Sequence, residues 1–130
     1  MSDLVLEDIP GRAEVVAWFG RMPGFHDAEL MELTLVPKGE SRLSLHAWNL
    51  TDRTDPKGYF ISERHAVVTL TLSRVSRIEL ADFHMFPAIV SKLDIARCEA
   101  GVRVWWETSY GVEGVLEAER LALDLTPGRP

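Results

Sequence analysis

This chain has a single cysteine, Cys98, in 130 residues. A lone cysteine closes no intramolecular disulfide, so a stapled secreted scaffold is excluded and a reducing compartment is the default. Long apolar runs are also missing, and none approaches the ~20 residues that a membrane-spanning helix needs. The first ten residues carry Asp3, Glu7 and Asp8 and no basic residue, which does not suit a secretory signal. The expectation is a cytoplasmic protein with no membrane partner. Bases are outnumbered, with 14 Lys and Arg against 20 Asp and Glu, and they form no cluster. Phosphate contacts supply most nucleic-acid affinity, so no nucleic-acid partner is expected. Several catalytic signatures are absent as well: Ser-x-Gly elbows, phosphate-cradling glycine loops and His-Glu-x-x-His. The four histidines, His26, His46, His65 and His84, stand about twenty residues apart, without the close ligand pair typical of zinc sites. No metal, no cofactor and no enzymatic activity are the expectations.

What is present is ordinary for one globular domain, residues 1–130, with 46% hydrophobic and 26% charged residues. A chain of this length buries roughly two-thirds of its unfolded surface, enough for a core without staples. The net charge of −6 is concentrated at the front: residues 1–40 hold eight acids and three bases. Surface solvation accounts for such a charge, and so does a cationic protein partner, whose encounter it would steer.

Asp8-Ile9-Pro10 suits a helix start, with Asp8 as N-cap and Pro10 in the first turn. Ala13, Val16 and Phe19 recur at helical spacing, and Gly20 suits a helix stop. The period then changes to two. Met31, Leu33 and Leu35 alternate with polar residues, Pro37-Lys38-Gly39 turns the chain, and Leu43, Leu45 and Ala47 complete a predicted hairpin. Thr51 to Gly58 reads as the longest loop. Ala66 to Leu72 is a clean strand, and Arg74 to Leu80 is its continuation or a further strand. Phe83 to Val90 is either irregular or a short helix near Pro87. Lys92–Arg97, Val102–Thr108 and Val115–Leu125 complete the strands, and residues 126–130 read as a flexible tail. The fold class is α+β, mainly β: an antiparallel sheet or sandwich with one short N-terminal helix.

The densest motif is Trp18-Phe19-Gly20-Arg21-Met22-Pro23-Gly24-Phe25-His26-Asp27-Ala28-Glu29. If a strand begins at residue 26, His26 and Ala28 face one side while Asp27 and Glu29 face the other. That parity disfavours a metal site built from the motif alone. A structural role at the turn, a partner contact, or a metal or catalytic role remain the alternatives for Phe25, His26, Asp27 and Glu29. The string resembles the bacterial family called immunity protein 50, whose members carry Phe-Gly, Pro and Phe-His-Asp-Ala-Glu near the N-terminus. The C-terminal third is similar too: a strand at Val102–Thr108, the turn Gly111-Val112-Glu113-Gly114, and an apolar run at Val115–Leu125. Between these anchors the chain departs from the family, with Phe86-Pro87-Ala88-Ile89-Val90 where Gln-Asn-Val is expected. The resemblance implies a non-enzymatic binding protein of a polymorphic toxin system, with a cognate toxin protein as partner. The alternative without it is a generic protein-interaction or ligand-binding domain.

Aromatic residues suggest a contact surface. Trp48 shares strand parity with His46, and Trp105 shares it with Arg103, each on the nominally polar face. Tryptophan dominates interface hot spots, so His46, Trp48, Arg103, Trp105 and Tyr110 are the candidate partner surface. Coverage of both faces in a sandwich would bury the same residues.

Overall fold

The computed structural model describes residues 8–130. Strands account for 61% of the described residues and helix for 7%, so the mainly-β, antiparallel reading holds. One helix, α1 (Arg12–Phe19), precedes eight strands: β1 (Glu29–Thr34), β2 (Glu40–Thr54), β3 (Phe60–Ser73), β4 (Arg77–Ala81), β5 (Ala88–Cys98), β6 (Gly101–Tyr110), β7 (Glu113–Ala118) and β8 (Arg120–Pro127). They form one sheet in the order β4-β7-β6-β5-β1-β2-β3-β8, and every pairing is antiparallel.

Two quartets of strands meet at β1 and β5, which share only the pairs Glu29↔Ile89 and Leu30↔Ala88. At the far side, the chain passes from β7 to β8 through Glu119 alone. The sheet therefore bends until the quartets enclose one hydrophobic cluster. Leu43, Leu45, Val68, Leu70, Val104 and Leu116 are all 0% exposed within it. Alternation along each strand produces this arrangement, because every second side chain points inward. Thr69 and Thr71 take the opposite parity on β3 and are half-buried.

α1 buries Val15 and Phe19, one turn apart, against this cluster. The N-terminal cap differs from expectation: Gly11, at φ 87°, occupies it, and Asp8 and Pro10 precede it. Asp8 instead lies 3.7 Å from the Arg97 guanidinium. The Pro10 carbonyl accepts from the Leu123 N–H of β8, the last strand in the sheet order. Gly20 ends the helix at φ 86°, its N–H donating to the Val16 carbonyl at 2.7 Å.

Three other expectations change, and one open alternative is decided. Thr51–Gly58 is not a long loop: β2 runs on to Thr54, and only Asp55–Tyr59 turns, organised by the Asp55 carboxylate accepting from the Lys57 and Tyr59 N–H groups. The alternative of a further strand at Arg74–Leu80 is the one realised, as the edge strand β4 (Arg77–Ala81) paired with β7. Val115–Leu125 divides at Glu119 into parts of β7 and β8, which lie in opposite quartets. The 126–130 tail is partly engaged: Thr126 and Pro127 pair with Val67 and Ala66, and Gly128 N–H donates to the His65 carbonyl.

β2 and β3 outrun the sheet. The last β1 partner on β2 is His46, and the last β8 partner on β3 is Ala66. Residues 48–65 thus form a two-stranded arm whose strands, among the described residues, pair only with each other, through Asn49↔Glu63, Leu50↔Ser62 and Thr54↔Phe60. A bulge lies at its base, where Arg64 and His65 oppose Trp48, with Arg64 at φ 58°. Bulges bend a strand and re-aim its side chains.

Candidate functional site

The Phe25–Glu29 motif is a turn feeding β1. Phe25 and Asp27 adopt φ 61° and 68°, a left-handed geometry that aspartate tolerates better than most residues. Asp27 N–H donates to the Val90 carbonyl at 2.7 Å, and Val90 N–H donates back to Ala28 at 2.9 Å. Phe25 and Ala28 are buried in the core. His26 and Asp27 precede the strand, so strand parity does not separate them. Both are largely exposed, at 74% and 66% for their side chains, with His26 Nε2 3.7 Å from Asp27 Oδ2. His26 Nδ1–H donates to the Ser91 carbonyl at 3.0 Å.

Glu29, the last residue of the motif, starts a second arrangement. In register with His46 across β1 and β2, it projects from the outer face. Its Oε1 lies 2.7 Å from His46 Nδ1. His46 Nε2 lies 2.9 Å from His65 Nδ1, and His65 Nε2 lies 3.0 Å from Ser62 Oγ. Four side chains from β1, β2 and β3 thus form a continuous chain of hydrogen bonds. The Trp48 ring packs on both imidazoles, with centroids 4.9 Å from His46 and 5.6 Å from His65. His46 is only 6% exposed, although its parity is that of the polar face. Burial first, then the Arg129 guanidinium and His46, lowers the affinity of His65 for a proton below that of an ordinary histidine.

The arm base is clamped to α1. Trp18 Nε1–H donates to the Arg64 carbonyl at 2.9 Å, and Arg64 Nε–H donates to the Trp18 carbonyl at 3.0 Å. The Arg64 guanidinium lies 3.8 Å from the Trp18 ring centroid, a cation–π stack. Asn49 Nδ2 also donates to the Phe19 carbonyl, at 2.9 Å. Between the arm and the Gly20–Asp27 turn lies an open cleft of about 930 Å³, bordered by Arg21, His26, Asp27, Trp48, Arg53 and Glu63. Arg53 and Glu63 pair with each other on the arm side of it at 2.7 Å.

The residues singled out by sequence are thereby divided. His26, Asp27 and Trp48 border the cleft, while Glu29, His46 and Trp48 belong to the hydrogen-bonded cluster. Arg103, Trp105 and Tyr110 lie on β6, in the other quartet. Arg103 is bound to the Glu117 carboxylate at 2.6 Å, Trp105 is half-buried, and Tyr110 is 55% exposed. Sequence reasoning missed His65 and Ser62, and it placed the arm's apolar residues Leu50, Tyr59 and Phe60 outside the candidate surface. Their exposures are 65%, 69% and 58%. A signal for the histidines was available: with Asp55-Pro56-Lys57-Gly58 as the hairpin turn, folding the chain brings His46 and His65 to neighbouring rungs. Among the described residues, no three His, Cys, Asp or Glu side chains converge to hold a metal ion.

The two glycines of the Gly111-Val112-Glu113-Gly114 turn sit where a side chain would not fit. Gly111 adopts φ 97°, and a Cβ there would lie 2.6 Å from that of Ala88. At Gly114 a Cβ would meet the Glu79 carbonyl of β4.

No family model matches this chain, and no curated protein matches it. A solved structure of an uncharacterized protein from Neisseria gonorrhoeae is similar over 76% of this chain and 91% of its own, with 13% sequence identity and a TM-score of 0.48.

Proposed function

We propose that this chain is an immunity protein that binds and occludes a cognate bacterial toxin domain in the cytoplasm, without catalysis of its own. The observation that carries this reading is the β2–β3 arm. It presents Leu50 and Phe60 from its strands and Tyr59 from its turn to solvent, beyond the last rungs that β1 and β8 share with β2 and β3. Scattered exposed apolar residues are common, but several together on a projecting ribbon fit a protein contact. The family motif at Phe25–Glu29 supports the reading from the other side of the cleft. The net charge of −6 favours a cationic partner.

Binding by this surface blocks the toxin sterically. Aromatic anchors on the arm supply the desolvated centre of the contact, and the charged residues around the cleft form its rim. The test is co-expression with the toxin encoded beside it. The intact chain is expected to protect cells, and a Leu50→Ser, Phe60→Ser double variant is expected to lose protection while keeping its β-rich circular dichroism spectrum. If no adjacent toxin exists, or the intact chain does not protect, the remaining reading is a generic interaction or ligand-binding domain.

A further inference from the structure

The Glu29–His46–His65–Ser62 chain connects the body of the sheet to the base of the arm. Each of its three bonds holds one proton, and this fixes how many protons the chain can carry. With Glu29 ionised, its carboxylate accepts from His46 Nδ1–H. One proton lies between His46 Nε2 and His65 Nδ1. The remaining bond, His65 Nε2 to Ser62, is satisfied in either direction, because a hydroxyl both donates and accepts. With neutral imidazoles, Ser62 donates to His65 Nε2. With one more proton, His65 Nε2–H donates to Ser62 and the other two bonds are unchanged. The bridging proton can then sit on His46 or on His65, which delivers the positive charge next to Glu29. A second added proton places two N–H groups against each other across 2.9 Å and breaks the bond between the rings.

We infer that these four residues form a one-proton switch at the arm base, which couples proton uptake to the docking face of the arm. The output is Ser62. It lies directly across from Leu50 in the β2–β3 register, so reversing its hydroxyl changes the polar character of the contact surface beside an exposed apolar anchor. The added charge also lies on a face that would receive a cationic partner. The groups around the switch come from several elements: Glu29 on β1, His46 on β2, Arg64 beside His65 on β3, and Arg129 following β8. Arg64 is held on Trp18 of α1. Both guanidiniums remain charged throughout.

This inference rests on the arm being the docking surface, but its first test needs no partner. Nitrogen-15 imidazole spectra of the full chain would be recorded between pH 8 and pH 5. At pH 7.5 both His46 and His65 are expected as Nδ1–H tautomers, the minor form of free histidine. On acidification the pair is expected to take up one proton in a first step and a second at a pH lower by at least about one unit, as coupled sites do. The Leu50 and Ser62 amide resonances should move with the first step. Glu29→Gln should lower the first midpoint, and His65→Gln should reduce the response to a single titration of His46. An Nε2–H tautomer on either ring at pH 7.5, two coincident and independent titrations, or arm amides that ignore the first step would overturn the switch. Failure to find a toxin would leave these spectra unaffected, so the two readings fail separately.

Discussion

Two pairs of polar residues, His26–Asp27 and Glu29–His46, differ in what holds them. His26 and Asp27 are exposed, and their geometry is set by backbone bonds to Val90. Glu29 and His46 share a short bond beneath a tryptophan, and His46 is buried. The buried side-chain hydrogen bond is in the second pair. His26→Ala is therefore expected to change the urea midpoint little. His46→Ala leaves Glu29 and His65 short of a partner and is expected to cost ~1–3 kcal/mol, the range for an orphaned buried polar group. Asp27 offers a separate backbone test. At φ 68°, Asp27→Gly should be tolerated, whereas Asp27→Val should cost roughly 1–2 kcal/mol from left-handed strain. Urea unfolding of the variants beside the parent checks all of these.

His65 adds a pH dependence. Its proton affinity is lowered in the folded state, so below about pH 6.5 the unfolded chain binds more protons than the native one. Stability contributed by neutral His65 is thus fully present above that pH and declines as the pH falls towards the folded midpoint. Urea midpoints are expected to be lower at pH 5.5 than at pH 7.5, and His65→Gln should reduce the difference. An equal slope in the variant would assign the pH dependence to other groups.

Among the elements, the arm should be the most readily opened. A two-stranded ribbon alone is marginal in water, and residues 48–65 are held by their own pairing and by contacts at the base. Amide exchange is expected to be faster at Leu50, Thr51 and Ile61 than at Leu43, Leu45 and Val68, whose side chains lie in the core. Residue-resolved hydrogen exchange would show it; uniform protection along β2 would mean that the arm is as firmly held as the body. This element also shows where the sequence was legible. Alternation at Leu43–Ala47 and Ala66–Leu72 identified both strands, because one buried face imposes period two. Beyond Ala47 that face ends, and polar Thr-Asp-Arg-Thr reads as loop although the backbone continues as strand. The Glu29–His46 contact was illegible for a related reason: it depends on register across β1 and β2, which includes a bulge between Leu30 and Glu32. The β7–β8 break at Glu119 has no glycine or proline of its own to mark it.

For the whole molecule, charge and contact should act on different rates. Glu14 and Glu32 are exposed, while Asp3 and Glu7 lie outside the described residues. Neutralising all four is expected to slow association with a cationic partner and leave dissociation nearly unchanged, with the difference shrinking as salt rises. Truncating Leu50 or Phe60 should instead accelerate dissociation, as hot-spot loss generally does. Binding kinetics at two salt concentrations separate the two effects, and a dissociation rate insensitive to both truncations would remove the arm from the contact.

The arm has one more consequence, for how such a protein diverges. Leu50, Tyr59 and Phe60 are absent from the core cluster, and the arm that carries them pairs, among the described residues, only within itself. Substitution there disturbs no buried neighbour, so selection can rewrite recognition while the folding requirement stays constant. Below Ala47 and Ala66, both fully or nearly buried, the same chain admits little change. The fold thus separates an inherited platform from a replaceable cassette, and a lineage of such proteins can keep one body while following a changing opponent.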